Sequence, residues 1–516
     1  MNRFGPLGVL SLVVCVASCV RIPRPSLADG ATAGDGNVED APDVVVDAAD
    51  GAGSDASDAA TDVAVDAATD AADATRFEAG VGYLSVPACP ASDAGTAAPE
   101  VPVRCDRAPG CCPAGQLCAN GVCTEEISLH GAQDQMCVRV RGSFSCWGQS
   151  SSGATGNTLT TPFEAPPMLG DTSTLGPVYA MSTHGFATEF IVGPDRSVGF
   201  LGGREAFGET DEMMGVFGRD PLLLTGLREM RSLAQPSRSG VRCGVGLDGQ
   251  VRCWGCNRNG ALGDGNNPAP PCASGPSSPR PFTVTSSVPV AQVAIASSRT
   301  GDRYSTATVC ALSARGSVRC WGANEDGQRG NNRRDGDGDN VISAAGASEI
   351  PSLVATEIAG LDSAFCALRD GNQIVCWGNR GSYGAGQPSE TSLLPEVLTR
   401  SNSAALHKLR CGAGGCCAIE RASRSLWCWG VQDGTNHRIV PSGPDTTGVA
   451  PTLIRPVGIA DGTIEDVGVG DSICALGRTG TMQRVLVCWG ENNAGEAATA
   501  RSATPIGFNT VVVSGL

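Results

Sequence analysis

The chain has almost no lysine. Of its 37 basic residues among 516, a single one, Lys408, is lysine. It follows His407 rather than a glycine, so the Gly-Lys pair of a Walker A loop is missing. No Lys/Arg block offers a phosphate-binding stripe, which sets nucleic acid aside as a partner. Histidine is scarce too: His130, His184, His407 and His437 are scattered, and neither HExxH nor GxSxG occurs. The apolar run Leu7 to Val16 is too short to span a bilayer as a stable helix. These absences leave no catalytic constellation, so the expectation is a non-enzyme without a cofactor.

Cysteine and glycine, by contrast, are plentiful, at 24 and 69 residues. Six times the chain repeats a Cys, about ten residues, then Cys-Trp-Gly. The pairs are Cys137 with Cys146, Cys243 with Cys253, Cys310 with Cys320, Cys366 with Cys376, Cys417 with Cys428, and Cys474 with Cys488. A seventh copy runs from Phe190 to Gly202 and aligns without a gap on Cys310 to Gly322. In it Phe190 and Phe200 replace both cysteines and Leu201 replaces the tryptophan, which suggests that the two changed positions touch. The closing glycines fall at 148, 202, 255, 322, 378, 430 and 490. Seven units at that spacing suit a closed β-propeller.

Within one unit, Thr308 to Leu312 is an apolar run, Gly316 sits in a polar turn, and Val318 to Gly322 alternates. That reads as a β-hairpin. Cysteines ten apart then oppose each other at a non-hydrogen-bonded pair, close enough for a disulfide. Six bridges inside the units are expected. Cys256 with Cys272 and Cys411 with Cys416 supply two more local pairs, so no thiol is left free. The tryptophan after each second cysteine reads as core between neighbouring units. Trp427, beside Trp429, is expected on the opposite face and exposed. The run Val511-Val512-Val513 is expected to pair in the unit that holds Ile127 to Gly131, sealing the ring.

The N-terminal region differs in composition. Arg3 and the apolar run form the core of a signal peptide ending in Val16-Ala17-Ser18-Cys19. This resembles a bacterial lipobox, which implies lipidation of Cys19; the alternative is an ordinary signal peptide cut near Ala17-Ser18. Val20 after that cysteine implies the outer membrane. Residues 29–80 hold 14 Asp/Glu and one Arg, so the rest of the chain is only mildly acidic despite a total charge of −16. Segment 19–84 is expected to be a disordered acidic tether after a leader at 1–18. Cys89, Cys105, Cys111, Cys112, Cys118 and Cys123 then crowd into 85–126, which reads as a small disulfide-rich module of undetermined connectivity, with metal binding as the rival. It reads as a stapled cap or spacer before the ring.

Two stretches carry a family likeness: Cys310-Ala311-Leu312 with Trp321-Gly322-Ala323-Asn324, and Cys474-Ala475-Leu476 with Trp489-Gly490-Glu491-Asn492. They resemble the regulator-of-chromosome-condensation repeat, a seven-bladed propeller unit, over about residues 127–516. The paired cysteines and the leader are similar to a secreted bacterial lipoprotein branch of that family. The expected architecture is all-β: a seven-bladed propeller after an acidic tether and a disulfide module.

The expected function is non-catalytic: loops of a monomeric propeller, anchored at the outer membrane or surface of a Gram-negative cell, bind a protein or glycan. The alternative is a proteinaceous inhibitor of an extracellular hydrolase. Insertions 256–290 and 326–350 are the expected contact regions. Asp335, Asp337 and Asp339 resemble the start of a calcium loop, but Gly346 stands where the closing Glu is required. The expected reading is therefore a solvated acidic turn with no metal, and calcium is the rival.

Overall fold

The computed structural model describes Cys105, Cys112 and most of residues 116–511; loops 149–175, 203–217, 266–277, 298–305, 336–343 and 433–438 lie outside the described residues. So do the leader, Cys19, the tether, Cys89, Cys111, the Cys256–Cys272 pair, Asp337, Asp339 and His437.

Seven antiparallel sheets follow one another along the chain. Blade 1 holds Ile127–Gly131, Gln135–Val140 and Ser143–Gly148. Blade 2 holds Val178–His184, Ala187–Val192, Ser197–Gly202 and Gly218–Leu223. Blade 3 holds Met230–Leu233, Val241–Gly246, Val251–Gly255 and Ser278–Val284. Blade 4 holds Val290–Ser297, Ala307–Ser313 and Val318–Gly322. Blade 5 holds Ala355–Leu361, Ala364–Arg369, Gln373–Asn379 and Thr391–Leu398. Blade 6 holds Leu406–Gly412, Gly415–Glu420, Leu426–Gln432 and Thr446–Ile454. Blade 7 holds Asp466–Val469, Ser472–Arg478, Arg484–Asn492 and Ser502–Val511. No α-helix occurs among the described residues.

Alternation along the strands dictates how blades stack. In blade 4, Cys310 opposes Cys320 while Val309 opposes Trp321. The cystine therefore faces one neighbour and the tryptophan the other. Cys310 and Cys320 pack with Phe365 and Trp377 of blade 5, and Trp321 packs with Cys243 and Cys253 of blade 3. The rule that a cystine lies under the next blade's tryptophan recurs between blades 6 and 7 and between blades 7 and 1. Each buried indole removes about 150–250 Å² from water, worth roughly 4–6 kcal/mol as an upper value.

Trp-Gly marks a bulge. Pairing between the third and fourth strands slips at this point in blades 2, 3, 5, 6 and 7. Gly378 of blade 5 has φ +99°, and a Cβ there would lie 2.5 Å from the Ser363 carbonyl oxygen. Only glycine tolerates both the left-handed backbone and that approach.

The ring closes by packing rather than by strand exchange. Val511 pairs with Leu486 inside blade 7, not in the sheet of Ile127–Gly131. Leu129, Met136, Val138 and Trp147 of blade 1 instead pack on Cys474, Leu476, Leu486 and Cys488 of blade 7. Asp466 accepts from the Leu129 amide at 2.8 Å, and Trp147 Nε1 donates to the Glu496 carbonyl at 2.8 Å. A blade complete in itself, with an apolar face for its neighbour, has no need of a borrowed strand.

Blade 2 departs from the gapless alignment. Phe200 opposes Glu189, and Phe190 opposes Gly199. The two phenylalanines do not pair: Phe190 packs toward the Cys137–Cys146 cystine of blade 1 and Phe200 toward Trp254 of blade 3. The cause is the turn, which runs 193–196 here and 313–317 in blade 4. One residue fewer shifts the facing partner by one and puts Glu189 at the cystine position. Trp427 also corrects the expectation. Two residues before Trp429 in one strand, it shares that face, is buried, and donates to Glu420 Oε2 at 3.2 Å.

Candidate functional site

The six cysteine pairs meet inside their blades, with Cα atoms 4.0–4.1 Å apart. Cys411 and Cys416 are joined as well. The Sγ atoms of Cys366, Cys411 and Cys416 gather within 4.8 Å across the seam between blades 5 and 6. All three are already bonded in disulfides. In the small module, Cys105 joins Cys118 and Cys112 joins Cys123, stapling a hairpin of Gln116–Ala119 and Val122–Glu125.

Where blade 2 lacks a cystine, a charge pair replaces it. Arg242 of blade 3 opposes Trp254 and points back at blade 2. Its Nε lies 2.9 Å from Glu189 Oε1, and both side chains are buried. Burial raises the Glu189 carboxyl to about 7 against the pull of Arg242. The residues opposite the other tryptophans are Met136, Val309, Phe365, Cys416, Ala418 and Ile473. Arg242 is therefore the charged exception, matched to the charged exception in blade 2.

A second charged cluster fills the ring centre. The first strand of each blade lies innermost: Gly360 of blade 5 touches the Ile295 backbone of blade 4. The module's hairpin reaches this centre from both sides. Ala119 packs with Tyr179 of blade 2 and with Leu227 and Met230 at blade 3. Glu125 meets Lys408 of blade 6, Oε1 to Nζ at 3.3 Å, and Arg410 at 4.0 Å. Blades 2–3 and blade 6 are on opposite sides of a seven-membered ring, so the hairpin lies across its mouth. Arg139 Nη2 donates to the Glu125 carbonyl at 2.7 Å, and Lys408 Nζ also lies 3.4 Å from Asp466 Oδ1. Glu357 of blade 5 accepts the Lys408 and Leu409 amides at 3.0 and 2.7 Å.

The electrostatics follow from this crowding. Burial alone would raise Glu125, but Lys408, then Arg410 and Arg139, bring it down to about 2. Burial, then Arg410 and Arg139, push His130 down to about 3. Burial, then Arg421 and Lys408, push His407 down to about 4. Both imidazoles are neutral near pH 7 and hydrogen-bonded, to Ser128 and to the Ile419 carbonyl. Lys408 itself has φ +54° at a bulge between His407 and Arg410. A left-handed, non-glycine residue of this kind costs about 1–3 kcal/mol and is held by its surroundings. Nothing in the sequence pattern singled out Glu125, Arg139, Arg410 or Asp466. The lone lysine was the signal available.

Asp335 is engaged within its own loop. Oδ2 accepts from the Asn324 amide at 2.8 Å, and Oδ1 lies 3.5 Å from Nη2 of the buried Arg329. The described parts of the two insertions also turn inward. Trp321 Nε1 donates to the Ala261 carbonyl at 3.0 Å, and Trp377 Nε1 to the Gln328 carbonyl at 2.7 Å. Ala261, Leu262, Ala344, Ala347 and Ile350 are buried. Exposed positions there include Glu325, Asn332, Arg333 and Arg334.

Residues 248–300 match the model of the regulator of chromosome condensation (RCC1) repeat. Over 282 residues, 52% of this chain, the sequence is 28% identical to the Arabidopsis thaliana RCC1 domain-containing protein RUG3, mitochondrial, and the chain spans 56% of that relative. Prp20p from Saccharomyces cerevisiae superposes with a TM-score of 0.56 at 14% identity, covering 75% of this chain and 88% of Prp20p. Human WBSCR16 superposes with a TM-score of 0.53 at 16% identity, covering 71% and 92%. These two likenesses concern the fold alone. With seven sheets in a ring and one repeat matched in sequence, the chain is a β-propeller that carries the RCC1 repeat.

Proposed function

We propose that the chain is a non-catalytic envelope lipoprotein, anchored through Cys19, whose propeller loops bind a protein or glycan partner. The observation that carries this reading is the cystine buried at blade after blade. A ring built on disulfides is made in an oxidising compartment, which fits an exported chain. The lipobox-like Val16-Ala17-Ser18-Cys19 supplies the anchor and Val20 the outer-membrane destination. Binding of proteins is a known use of the fold: Prp20p is described by its binding properties to Gsp1p and histones, and yeast RCC1 has been captured bound to Kap60. Rigid blades carrying loops of unequal length suit recognition. Among the described residues, His130 and His407 are both held neutral and hydrogen-bonded, which removes them as general acids near pH 7.

Two measurements test the reading. Cys19→Ser should move the protein from the membrane fraction to the soluble one; retention in the membrane fraction would defeat the anchor. A pull-down with the full chain should recover a partner whose binding weakens when Arg333 and Arg334 are replaced by serine. A one-to-one complex that silences an extracellular hydrolase would turn the reading to inhibition.

A further inference from the structure

The contact between Glu125 and the ring centre joins two parts of the chain that the cysteine pattern separates. Glu125 ends the stapled hairpin, while its partners come from two blades: Lys408 and Arg410 from blade 6 and Arg139 from blade 1. The one lysine of the chain is spent here, in a left-handed backbone held in place by Glu357. Two cations meeting the carboxylate of a separate element, with a third on the same residue's carbonyl, describe a receptor and its occupant.

We propose that the ring mouth is a carboxylate-binding site held shut in cis. Glu125 fills it, the disulfide hairpin is its plug, and release of the hairpin opens Lys408, Arg410 and Arg139 to a carboxylate of an acidic peptide. Asp466 and Glu357 stay behind with the three cations, so the vacated mouth carries an excess of one positive charge. Glu126, the next residue, is fixed to blades 1 and 7: its carbonyl accepts from the Arg141 amide at 2.9 Å, and its carboxylate pairs with Arg141 and with Arg484 of blade 7. The hairpin thus swings from Glu126 while the ring stays intact.

Among the described residues, the plug's Cys105–Cys118 bond is the disulfide most open to reductant. Cys105 is half-buried, whereas the blade cystines are at most 3% exposed. A dithiol attacks the Cys105–Cys118 bond through a mixed disulfide that its second thiol resolves. The dithiol leaves as a disulfide, and two electrons and two protons pass to Cys105 and Cys118.

The unique lysine makes the test direct. The full chain is pulsed with an amine-acetylating reagent, and the Lys408 peptide is read by mass. In the oxidised protein the reaction is slow, because the plug covers the amine and Asp466 and Glu125 hold it protonated. Dithiothreitol that opens Cys105–Cys118 and Cys112–Cys123, with the blade cystines still closed, should raise the rate at least about tenfold, equivalent to about 1.4 kcal/mol. Glu125→Gln should raise it without reductant. Pentaglutamate should slow the opened protein again, and pentaglutamine should not. An unchanged rate once the module's bonds are open, or in Glu125→Gln, would overturn the plug. Equal protection by the two peptides would overturn the carboxylate site.

Discussion

Glu189 and Arg242 meet 2.9 Å apart, buried, at the position where other blades place a cystine under a tryptophan. The pair joins blade 2 to blade 3 with charge where other seams have sulfur, while the indole of Trp254 stays and packs with Phe200. Removing one member leaves the other buried and alone. Arg242→Met should therefore cost about 3–5 kcal/mol in urea denaturation. The triple variant Glu189→Cys, Phe200→Cys, Arg242→Val rebuilds the rule of the other seams. It should recover that loss, since apolar packing often matches a buried pair and a cystine adds up to about 3 kcal/mol. A triple variant no more stable than Arg242→Met would refute the equivalence of the two seams.

Stability should respond to pH in two opposed ways. His130 and His407 are held near 3 and 4 in the fold, below their ordinary 6.5, so the unfolded chain takes up protons first and stability falls as pH drops below about 6.5. Glu189 lies near 7, above its ordinary 4.5, so its share of stability rises over the fall from pH 7 to 4.5. Replacing both histidines with asparagine should leave a net gain in stability across that interval, measured as denaturation midpoint against pH. Continued loss would show that other groups govern the acid limb.

Below pH 4.5 the plug becomes the sensitive element. Glu125 stays ionised in the fold down to about 2, so its contribution is complete above pH 4.5 and is lost between 4.5 and 2. Glu125→Gln should flatten this part of the profile. An unaltered slope would mean that the carboxylate is not held by its cations.

Backbone demands at the bulge are equally specific. Gly378→Ala should cost about 1–3 kcal/mol, because φ +99° and the Ser363 carbonyl both oppose a Cβ. Gly346→Ala, which has open space around it, serves as the control. Equal midpoints for the two variants would contradict the bulge.

Several of these features are legible in the chain before folding. Cysteine spacing exposes the hairpins because opposed strand residues share a face, so Cys310 and Cys320 can be paired on paper. The Trp-Gly step marks the bulge for a similar reason: only glycine bends there. Register in blade 2 is not legible, since a turn one residue shorter hides in a gapless alignment and moves Glu189 into the place given to Phe190. Val511 misleads because β-branching reports strand, not which strand it joins. Glu125 and Lys408, 283 positions apart, are brought together only by ring closure. No local pattern encodes that meeting.

The central claim is that six of the seven repeats are each clipped by their own cystine, lying beneath the next blade's indole wherever that blade has one. Mapping the disulfides of the unreduced protein by mass spectrometry tests it most directly. The expected peptides link 137 to 146, 243 to 253, 310 to 320, 366 to 376, 417 to 428 and 474 to 488. Cysteines bridged between different blades, or recovered as free thiols, would contradict the ring described above.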